Sequence, residues 1–555
     1  MSAQGQPVVI LKEGTERSTG RDARGSNIMA ARIVSEAVKT SLGPKGMDKM
    51  LIDSFGDVTI TNDGATMLKE MDVQHPAAKM MVEVSKTQDD EVGDGTTSVV
   101  ILTGELLGKA TELMEKKVHP IVIIDGYRQA EEEALKILEE ISEKVNPKDK
   151  PVLKKISMTT MASKLVNQYS DHLSDVAVDA VLQVAEESNG GYEVDLDNIK
   201  VEKKPGASLT DTRLVKGLII DKEVVHDGMP KQVKKASIGL LNVAMEIEKT
   251  EFDAKIAIET PDQMQAYLDQ EEQMLRDMVA KVKGTGINVL FCQKGIDDMV
   301  QHFLSREGIL ASRRLKKSDM EALAKATGAK VVNSIEQLSK EDAGYAELIE
   351  ERKISDDKMI FVEGCKNPKA VSILIRGGTE RVVDEADRSI HDALCVVKDV
   401  VQEPKIVAGG GASEIEIARR LREFAEKLAG RERLAVAAFA DALEVISITL
   451  AENSGMDPID ALSEMQSEHA KGNKWVGVNG VTNKVTDLAK INVYEPMVVK
   501  AQAIKSATEA ATLLLKIDDI IAVSKMQAPP GPPGGGMGGG MGGMPPGMGG
   551  MPGMM

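Results

Sequence analysis

The sequence predicts a multidomain α+β protein in which two helical blocks flank a block of alternating strands and helices. Its 555 residues exceed the roughly 100–200 residues of a single domain. Apolar residues recur at helical spacing over residues 26–148 and again over 409–525, whereas short apolar runs typical of strands alternate with helices over about 215–376. The content of 42% hydrophobic and 28% charged residues is that of a globular chain.

Three helices are predicted in the first helical block. Their apolar side chains recur at helical spacing over residues 30–38, 99–114 and 127–141. Gly43-Pro44 ends the first run and His119-Pro120 ends the second, because proline does not continue a helix. The segment NPKDKP, at 146–151, then predicts a linker.

Short apolar runs predict the strands of the central block, an α/β or α+β domain: LVKGLII, SIGLLNV, INVLFCQ, AKVVNSI, MIFVEG and AVSILIRGG. Before the third run, Thr260 and Gln263 form a capping box around Pro261 and begin a long helix that continues to Gly284. Its apolar stripe consists of Met264, Tyr267, Leu268, Leu275, Met278, Val279 and Val282. Because its first half is the more acidic, we expect this helix to project from its domain.

The C-terminal segment has a different composition from the rest of the chain. Its last 27 residues, 529–555, consist of 13 Gly, 7 Pro and 7 Met. Such a segment cannot bury enough apolar surface to offset the entropy of ordering it. We therefore predict a disordered tail that takes no part in the fold.

The net charge of −18 argues against a surface that binds nucleic acid, because a polyanion would meet a repulsive field. The best candidate for a basic patch, Arg313, Arg314, Lys316 and Lys317, is interpreted as a solvated segment leading into a helix.

The remaining composition indicates a cytosolic protein without a membrane partner. No apolar run approaches the roughly 18–20 residues of a membrane span, and the run at 434–440 ends at Asp441. The N-terminus lacks the charged-then-apolar order of a signal peptide. Cys292, Cys365 and Cys395 lack CxxC spacing, which predicts buried thiols rather than a disulfide framework or a zinc site.

Generic catalytic motifs do not occur in the sequence. The nearest approach to a GxxxxGK[ST] phosphate loop begins at Gly104, is one residue short and ends in alanine. HExxH and GxSxG are missing as well. Any chemistry must come from less generic segments.

The segment GDGTTS, at 93–98, directly precedes the second predicted helix. Its glycines let the backbone approach an anion, N–H groups at the helix start point toward it, and three hydroxyls add donors. The Asp94 carboxylate would repel a phosphate by about 4 kcal/mol at 4 Å and an effective dielectric near 20. Asp94 therefore implies a Mg²⁺ ion between them. For this motif alone, an N-capped helix behind a tight turn is the favoured alternative.

Three further glycine segments are ambiguous in the same way. TNDGAT, at 61–66, follows the alternating strand 58–60 and on its own favours a hairpin turn. GGG, at 409–411, precedes a helix with a capping box of Ser413 and Glu416, and a flexible hinge is its alternative. LGPKG, at 42–46, is a turn after a helix.

Taken together, these segments resemble the group II chaperonins, the archaeal thermosome and its eukaryotic cytosolic relatives. The resemblance is carried by four motifs in order: TSLGPKGMDK at 40–49, TNDGAT at 61–66, EVGDGTTS at 91–98 and VAGGG at 407–411. It extends over residues 8–525. It implies a chaperonin fold with a helical equatorial ATPase domain, a small intermediate hinge domain and an α/β apical domain with a helical protrusion.

The same resemblance implies how the chain divides and assembles. The equatorial domain takes 1–148 and 408–526, the intermediate domain 149–216 and 373–407, the apical domain 217–372 with a built-in lid at about 249–283, and the disordered tail 527–555. Identical or paralogous subunits would form two stacked rings. Unfolded or partly folded polypeptides would be the substrate, and ATP hydrolysis would be coupled to lid closure and protein folding.

Positions that match the family's motifs imply ATP and Mg²⁺ as cofactors. Asp94 would bind Mg²⁺, Asp63 matches a carboxylate near the γ-phosphate, and Asp392 matches the one that orients or activates the attacking water. Lys164 matches a lysine that senses the γ-phosphate, with a solvated surface lysine as the competing interpretation. Other nucleotide contacts are implied for Leu42, Gly43, Pro44, Gly95, Thr96, Thr97, Ser98, Gly410, Gly411 and Glu495.

Substrate contact and overall function leave alternatives open. An adaptable apolar surface for substrate is available on one apical helix, at Met299, Val300, Phe303 and Leu304, although packing of that helix on its own sheet is favoured. Two functions compete with an ATP-driven folding ring. One is a small-molecule phosphotransferase with a phosphate cradle of another type, and the other is a structural or filament-forming ring in which ATPase activity is incidental.

Overall fold

A computed structural model describes residues 15–188, 190–247, 260–365 and 369–523. Over these residues the chain combines helices with several sheets, so the predicted multidomain α+β class is confirmed. Three predicted features lie wholly or partly outside the described residues. They are the disordered tail, residues 1–14 of the predicted equatorial domain, and residues 249–259 of the lid segment.

The first part of the chain is mainly helical. Its elements are β1 Thr15–Thr19, α1 Gly20–Lys39, β2 Lys49–Ile52, β3 Val58–Thr61, α2 Gly64–Glu70, α3 Pro76–Val92, α4 Thr96–Glu115, α5 Pro120–Ile141 and β4 Glu143–Lys144. The three predicted helices are present as α1, α4 and α5. The apolar face of α1 differs from the prediction, because Ile28 and Ala31 are buried whereas Ile33 is 62% exposed.

The central part alternates helices and strands. Its elements are α6 Lys150–Met161, α7 Ser170–Val184, β5 Glu186–Ser188, β6 Gly191–Glu193, β7 Ile199–Pro205, β8 Arg213–Val215, β9 Gly217–Ile220, β10 Gln232–Leu241, α8 Pro261–Gly284, β11 Val289–Cys292, α9 Asp298–Arg306, β12 Leu310–Ser312, α10 Lys317–Thr327, β13 Val331–Val332, β14 Gly344–Ile354 and β15 Asp357–Glu363. The predicted linker at 146–151 is cut short because α6 begins at Lys150.

The last part returns to helices. Its elements are β16 Val371–Gly377, α11 Glu380–Gln402, β17 Lys405–Ala408, α12 Ala412–Lys427, α13 Glu432–Leu443, α14 Val445–Ser454, α15 Pro458–Ala470, β18 Val476–Asn479, β19 Lys484–Asp487, β20 Tyr494–Pro496, α16 Met497–Lys516 and β21 Asp519–Val523. Strand β21 pairs antiparallel with β1, so the two ends of the described chain lie side by side.

Separate hydrophobic cores divide the described residues into bodies. The helical body has one core built from residues 28–141 and 407–515, so the two helical blocks share a core, which periodicity alone could not decide. The middle body is built from residues 153–209 and 371–406. The sheet body, residues 217–365, has a core on each face of its sheet.

The sheet body contains a strand that the sequence patterns did not predict. The strand order is β12-β11-β10-β14-β15-β9, with β13 beside β10. Strand β14, GYAELIEERKI, pairs antiparallel with both β10 and β15. Its charged residues obscure the alternation, although Ala346 and Ile349 are fully buried. Conversely, the predicted strand at 329–335 is reduced to the two residues of β13.

The long helix α8 is capped as predicted but is not apolar along one continuous buried face. Thr260 accepts a hydrogen bond from the Gln263 N–H, and the capping box is complete. Met264 and Leu268 are 54% and 50% exposed, whereas the later residues Leu275, Val279 and Val282 are buried. The predicted stripe is therefore wrong for the first half of α8, which extends away from the core that the second half joins.

Helix α9 packs largely on its own sheet. Val300, Phe303 and Leu304 are buried, and Met299 is 44% exposed. The arrangement is the one that the favoured packing interpretation predicts.

The apolar run at 434–440 ends at Asp441 as predicted, yet a longer segment around it is long and apolar enough to be compared with a membrane span. Helices α13 and α14 together form Glu432–Ser454, which is long and apolar enough by length and composition, with a mean hydropathy of 1.9 over its most apolar window. Asp441, which interrupts this run, pairs with Arg422. Because 72% of that window is buried inside the protein, the segment is a core element of the helical body.

Candidate functional site

A cavity of about 250 Å³ lies between the helical body and the C-terminal end of α6. The predicted site residues that line it are Leu42, Gly43, Pro44, Asp94, Gly95, Ser98, Gly410, Gly411 and Glu495. Part of the wall comes from the loop between β18 and β19, including Asn479 and Val481. Glycine segments that are hundreds of residues apart in the sequence therefore meet at one cavity.

Two glycines bring helix N-termini to this cavity. Gly95, with φ +77°, is the N-cap of α4, and Gly411, with φ +78°, is the N-cap of α12. This left-handed backbone is costly for a residue with a side chain. A Cβ on Gly411 would in addition lie 2.1 Å from Ser447 Oγ. Both helices thus present N-terminal turns, with their unpaired N–H groups, at the cavity, which suits an anion.

The predicted capping box at the start of α12 is wrong. Since Gly411 is the N-cap, Ser413 already lies in the first helical turn and its hydroxyl donates to the Ala408 carbonyl at 3.3 Å. Glu416 instead accepts hydrogen bonds from the guanidinium groups of Arg419 and Arg420.

Asp94 lies just before the N-terminus of α4, and both of its carboxylate oxygens accept hydrogen bonds. Oδ1 accepts a hydrogen bond from the Gly95 N–H at 2.6 Å, and Oδ2 accepts one from the Thr160 hydroxyl at 2.8 Å. The carbonyl of Asp94 accepts a hydrogen bond from Gln88 Nε2 at 2.9 Å. The backbone and the side chain of Asp94 are therefore both fixed in orientation.

The donor set at this corner fits a phosphate accompanied by a hard divalent cation. The start of α4 attracts negative charge, and the Asp94 carboxylate supplies the oxygen type that Mg²⁺ prefers. Mg²⁺ at nucleotide sites is held by one or two carboxylates together with phosphate oxygens and waters. Within the described ranges, no group of three or more His, Cys, Asp or Glu side chains is arranged to hold a metal ion. Asp94 is the carboxylate in the cavity lining that would suit this arrangement beside the start of α4.

Asp63 is a helix cap rather than part of a hairpin turn. It follows β3 and is the N-cap of α2, where its Oδ2 accepts a hydrogen bond from the Thr66 N–H at 2.8 Å. Its Oδ1 accepts a hydrogen bond from the Thr96 hydroxyl at 3.0 Å. Burial alone would raise the pKa of Asp63, but the positive charge of Lys164 and these hydrogen bonds together hold the pKa below its usual value. Asp63 is therefore an ionised carboxylate that contacts the first turn of α4.

Lys164 and Asp392 form a buried ion pair. Their residues are only 8% and 7% exposed, and Lys164 Nζ contacts Asp392 Oδ2. Burial raises the pKa of Asp392 well above its usual value, against the attraction of Lys164. Burial also opposes the charged form of Lys164, yet Asp392 and Asp63 outweigh it and raise the lysine pKa. The interpretation of Lys164 as a solvated surface lysine is wrong.

The remaining predicted residues lie behind the cavity rather than in its lining. Thr96 and Thr97 are buried in the first turn of α4, and Gly64 packs so closely that a Cβ there would lie 2.7 Å from the Thr97 nitrogen. Asp63, Lys164 and Asp392 are likewise absent from the lining residues of the cavity. The predicted set therefore forms two layers, one facing the cavity and one directly behind the start of α4.

A second buried lysine was missed by sequence reasoning. Lys500 Nζ lies 2.8 Å from Glu414 Oε1 and 2.5 Å from Glu495 Oε2, and Lys500 and Glu414 also line the cavity. Burial opposes its charge, but the two carboxylates raise the pKa of Lys500. Burial raises the pKa of Glu495 despite Lys500. The sequence contains one signal that Lys500 is buried, because it lies on the apolar face of α16, four residues before the buried Ile504.

Thr160 and Gln88 were also missed. Both contact Asp94, but neither belongs to a motif, and their partners are 66 and 6 residues away in the chain. A hydroxyl near the end of an amphipathic helix carries no signal of a partner so far along the sequence.

The comparisons with known proteins identify the class to which this fold and site belong. Residues 34–525 match the model of the TCP-1/cpn60 chaperonin family, and the chain belongs to that family. The predicted resemblance to the group II chaperonins and the predicted chaperonin fold are thereby confirmed.

Among individual proteins, the chain is similar to thermosome subunits of archaea. It is 57% identical to thermosome subunit beta of Archaeoglobus fulgidus over 542 residues, 98% of this chain and 99% of that protein. It is 58% identical to thermosome subunit beta of Thermococcus kodakarensis over 523 residues, 94% of this chain and 96% of that protein. Thermosome subunit alpha of Archaeoglobus fulgidus is 56% identical over 531 residues, 96% of this chain and 97% of that protein.

Proposed function

We propose that this chain is a subunit of a double-ring chaperonin that encapsulates unfolded or partly folded polypeptides under a built-in lid. It couples ATP hydrolysis to lid closure and protein folding. The observation that carries the proposal is the start of α4, whose N–H groups suit an anion, with Asp94 just before it and three charged groups behind it. Those groups, Asp63, Lys164 and Asp392, come from separate elements of two bodies.

The cavity offers a place for each part of ATP. The backbone N–H groups of Gly95, Thr96, Thr97 and Ser98 at the start of α4, together with the Ser98 hydroxyl, suit the phosphates, and Asp94 suits the Mg²⁺ that accompanies them. Room for the sugar and the base is left beside Leu42, Gly43, Pro44, Gly410 and Gly411. Glu495, which is paired with Lys500 in the cavity wall, is suited to accept hydrogen bonds from the ribose hydroxyls.

The charged layer behind α4 has the chemistry for hydrolysis. When bound with ATP, Mg²⁺ neutralises charge on the phosphoryl group that is transferred. Asp392 is suited to accept the proton of the attacking water, because burial raises its pKa above the usual carboxyl value and makes it a stronger base. Asp63, which is held ionised, is suited to orient the groups around the γ-phosphate, and Lys164 balances both carboxylates.

The bodies correspond to the domains of the proposed machine. The helical body is the equatorial ATP-binding domain, the middle body is the intermediate hinge, and the sheet body is the apical domain, whose lid at about 249–283 includes most of α8. Identical or paralogous subunits in two stacked rings are the proposed partners, since the relatives include both alpha and beta thermosome subunits. The proposed location is the cytoplasm.

The proposal is tested with the purified full-length chain. We expect a particle near a megadalton by gel filtration, ATP hydrolysis that depends on Mg²⁺, and refolding of a denatured model protein that requires ATP. A phosphotransferase would instead form a small oligomer and hydrolyse ATP only with a small acceptor. A structural ring would reach the same size without ATP-dependent refolding.

A further inference from the structure

We propose that Thr160 is a positioning residue that links the cation-binding carboxylate of Asp94 to the position of the middle body. The proposal deepens the function above and rests on its Mg²⁺-nucleotide site. It assigns a role to a side chain that belongs to none of the predicted motifs.

The contact crosses from one body to the other. Thr160 lies in the last turn of α6, whose residues Leu153, Ile156 and Met161 are fully buried in the core of the middle body. Its hydroxyl donates to Oδ2 of Asp94, which lies in the loop between α3 and α4 of the helical body. The threonine thus connects the metal-binding loop to a rigid part of the other body.

The middle body contacts the same loop from a second direction. Cys395, on α11, packs against Gly93, so that a Cβ on Gly93 would lie 2.3 Å from Cys395 Cβ and 2.6 Å from its Sγ. Cys395 is 5% exposed in this arrangement. The loop of residues 93–95 is therefore held between α6 and α11, and any change in its geometry is felt on both sides.

The hydrogen bonds of Asp94 favour one orientation of its carboxylate. Oδ1 is fixed from within the loop by the Gly95 N–H, and among the described residues Oδ2 accepts its hydrogen bond from Thr160. Each carboxylate oxygen has two lone-pair directions, so Oδ2 keeps one for a cation while it accepts the hydrogen bond from the Thr160 hydroxyl. A contact that prepares the carboxylate for the cation must, by linkage, be strengthened when the cation is present.

The consequence is a reciprocal dependence between cation binding and body position. Mg²⁺ bound with a nucleotide stabilises the arrangement in which α6 and α11 contact the loop. Separation of the middle body from the loop removes Thr160 from Asp94 and lowers the affinity for the cation.

The experiment compares Thr160→Val, which keeps the shape and removes the hydroxyl, with Thr160→Ser, which keeps the hydroxyl. The matched control is Thr159→Val, because the Thr159 hydroxyl bonds to the Lys155 carbonyl of its own helix at 3.0 Å and does not reach Asp94. ADP affinity is measured by calorimetry with and without Mg²⁺. Alkylation of Cys395 by N-ethylmaleimide is followed by mass spectrometry of its peptide under the same conditions.

For the parent, Thr160→Ser and Thr159→Val, we expect Mg²⁺ to strengthen ADP binding and to slow alkylation of Cys395 in the presence of ADP. For Thr160→Val, we expect the gain in ADP affinity from Mg²⁺ to fall about tenfold, the lower end for a hydrogen bond to a charged group. Its protection of Cys395 should be lost, while its ADP affinity without Mg²⁺ stays within about twofold of the parent value.

Two results would overturn the inference: a Thr160→Val variant that responds to Mg²⁺ like the parent, or one that loses ADP affinity equally with and without Mg²⁺. If Thr160→Val does not fold, the parent still provides a test, since unchanged alkylation of Cys395 on adding Mg²⁺ to the ADP complex also contradicts it. A parent protein that binds no ADP would instead contradict the proposed function.

Discussion

Two clusters, each combining one lysine with two carboxylates, lie at the cavity and directly behind it, and they are built differently. Lys500 with Glu414 and Glu495 comes entirely from the helical body. In the other cluster Lys164 lies just after α6 and Asp392 on α11, and their charges act on Asp63 of the helical body.

The difference separates a permanent part of the site from a conditional one. A cluster within one body keeps its geometry whatever the other bodies do, which suits a wall that holds the same ligand group at all times. A cluster shared by two bodies is complete only when they meet, which suits a group needed at one stage of a cycle.

The largest expected effect is on the shared cluster. Asp392→Ala removes the proposed general base, so turnover should fall by about 10²–10⁴-fold while ATP binding is kept. Asp387→Ala, on the same helix but paired with Lys203 near the surface, is the matched control. Hydrolysis and binding are measured separately by phosphate release and calorimetry. Equal turnover in Asp392→Ala and the parent would contradict the role of Asp392 as the general base.

The next effect concerns the stability of the cluster within one body. Lys500→Met leaves Glu414 and Glu495 buried without their cation, and loss of one partner from a buried pair costs about 3–5 kcal/mol. We expect a clearly lower unfolding midpoint in urea. Lys405→Met removes a lysine from the more exposed Glu139 and should change stability by less than about 1 kcal/mol. Equal midpoints for the two variants would contradict the comparison.

A smaller effect, on how stability depends on pH, is expected from Asp399. It lies on α11, the helix that also carries Asp392, and one of its carboxylate oxygens has no hydrogen-bond partner. Burial raises the pKa of Asp399 to about 7, against the attraction of Lys398, and its buried Oδ2 has no hydrogen-bond partner. The folded state binds the proton of the Asp399 carboxyl more tightly than the unfolded state does, so protonation stabilises the fold. This contribution to the free energy of unfolding is complete below about pH 4 and is lost as the pH rises through 7. The pKa difference limits the change to about 4 kcal/mol.

Asp399→Asn removes that proton and should flatten the pH dependence. The thermal midpoint of the parent is expected to fall between pH 5 and pH 8 by several degrees more than that of the variant. Parallel curves for the two proteins would show that Asp399 does not titrate in this range. Asp387→Asn, with its partner Lys203, again serves as the control on the same helix.

The smallest effect is predicted outside both clusters. Met264→Gln in the exposed first half of α8 should change the free energy of unfolding by less than about 0.5 kcal/mol. Val279→Gln in its buried second half should cost several times more, because it places an amide among apolar side chains. Thermal unfolding compares the two, and a large loss for Met264→Gln would show that this half is packed.

Much of the cavity lining could be predicted from the sequence because a helix N-terminus preceded by glycine is a local feature. Gly95 and Gly411 are in that category, and they lie where the motifs indicate. Assignment of Asp63 from local pattern alone would have failed, since Asn-Asp-Gly is also hairpin chemistry, whereas here the aspartate caps α2. The prediction that Asp63 belongs to the site came from the joint occurrence of TNDGAT with the other motifs, and not from the turn propensity of Asn-Asp-Gly.

The remaining features depend on contacts that local patterns do not contain. Strand β14 is held by pairing with two neighbours, which outweighs its high content of charged residues. Lys500 is buried because two carboxylates from other elements surround it. Thr160 acquires its partner only when the middle body meets the helical body.

The length of α11 gives the shared cluster a mechanical consequence. Its 23 residues form a rod of about 34 Å, with Asp392 near the middle. Near its N-terminal end, Asp384 pairs with Lys203 of β7, whose neighbour β16 is the strand that follows the sheet body in the chain. A tilt of only about 10° around Asp392 displaces that end by about 3 Å, roughly the length of a hydrogen bond. A tilt of this kind would shift the Asp392 carboxylate far less than the end of α11, so a displacement beside the sheet body would reach the carboxylate as a small change in position.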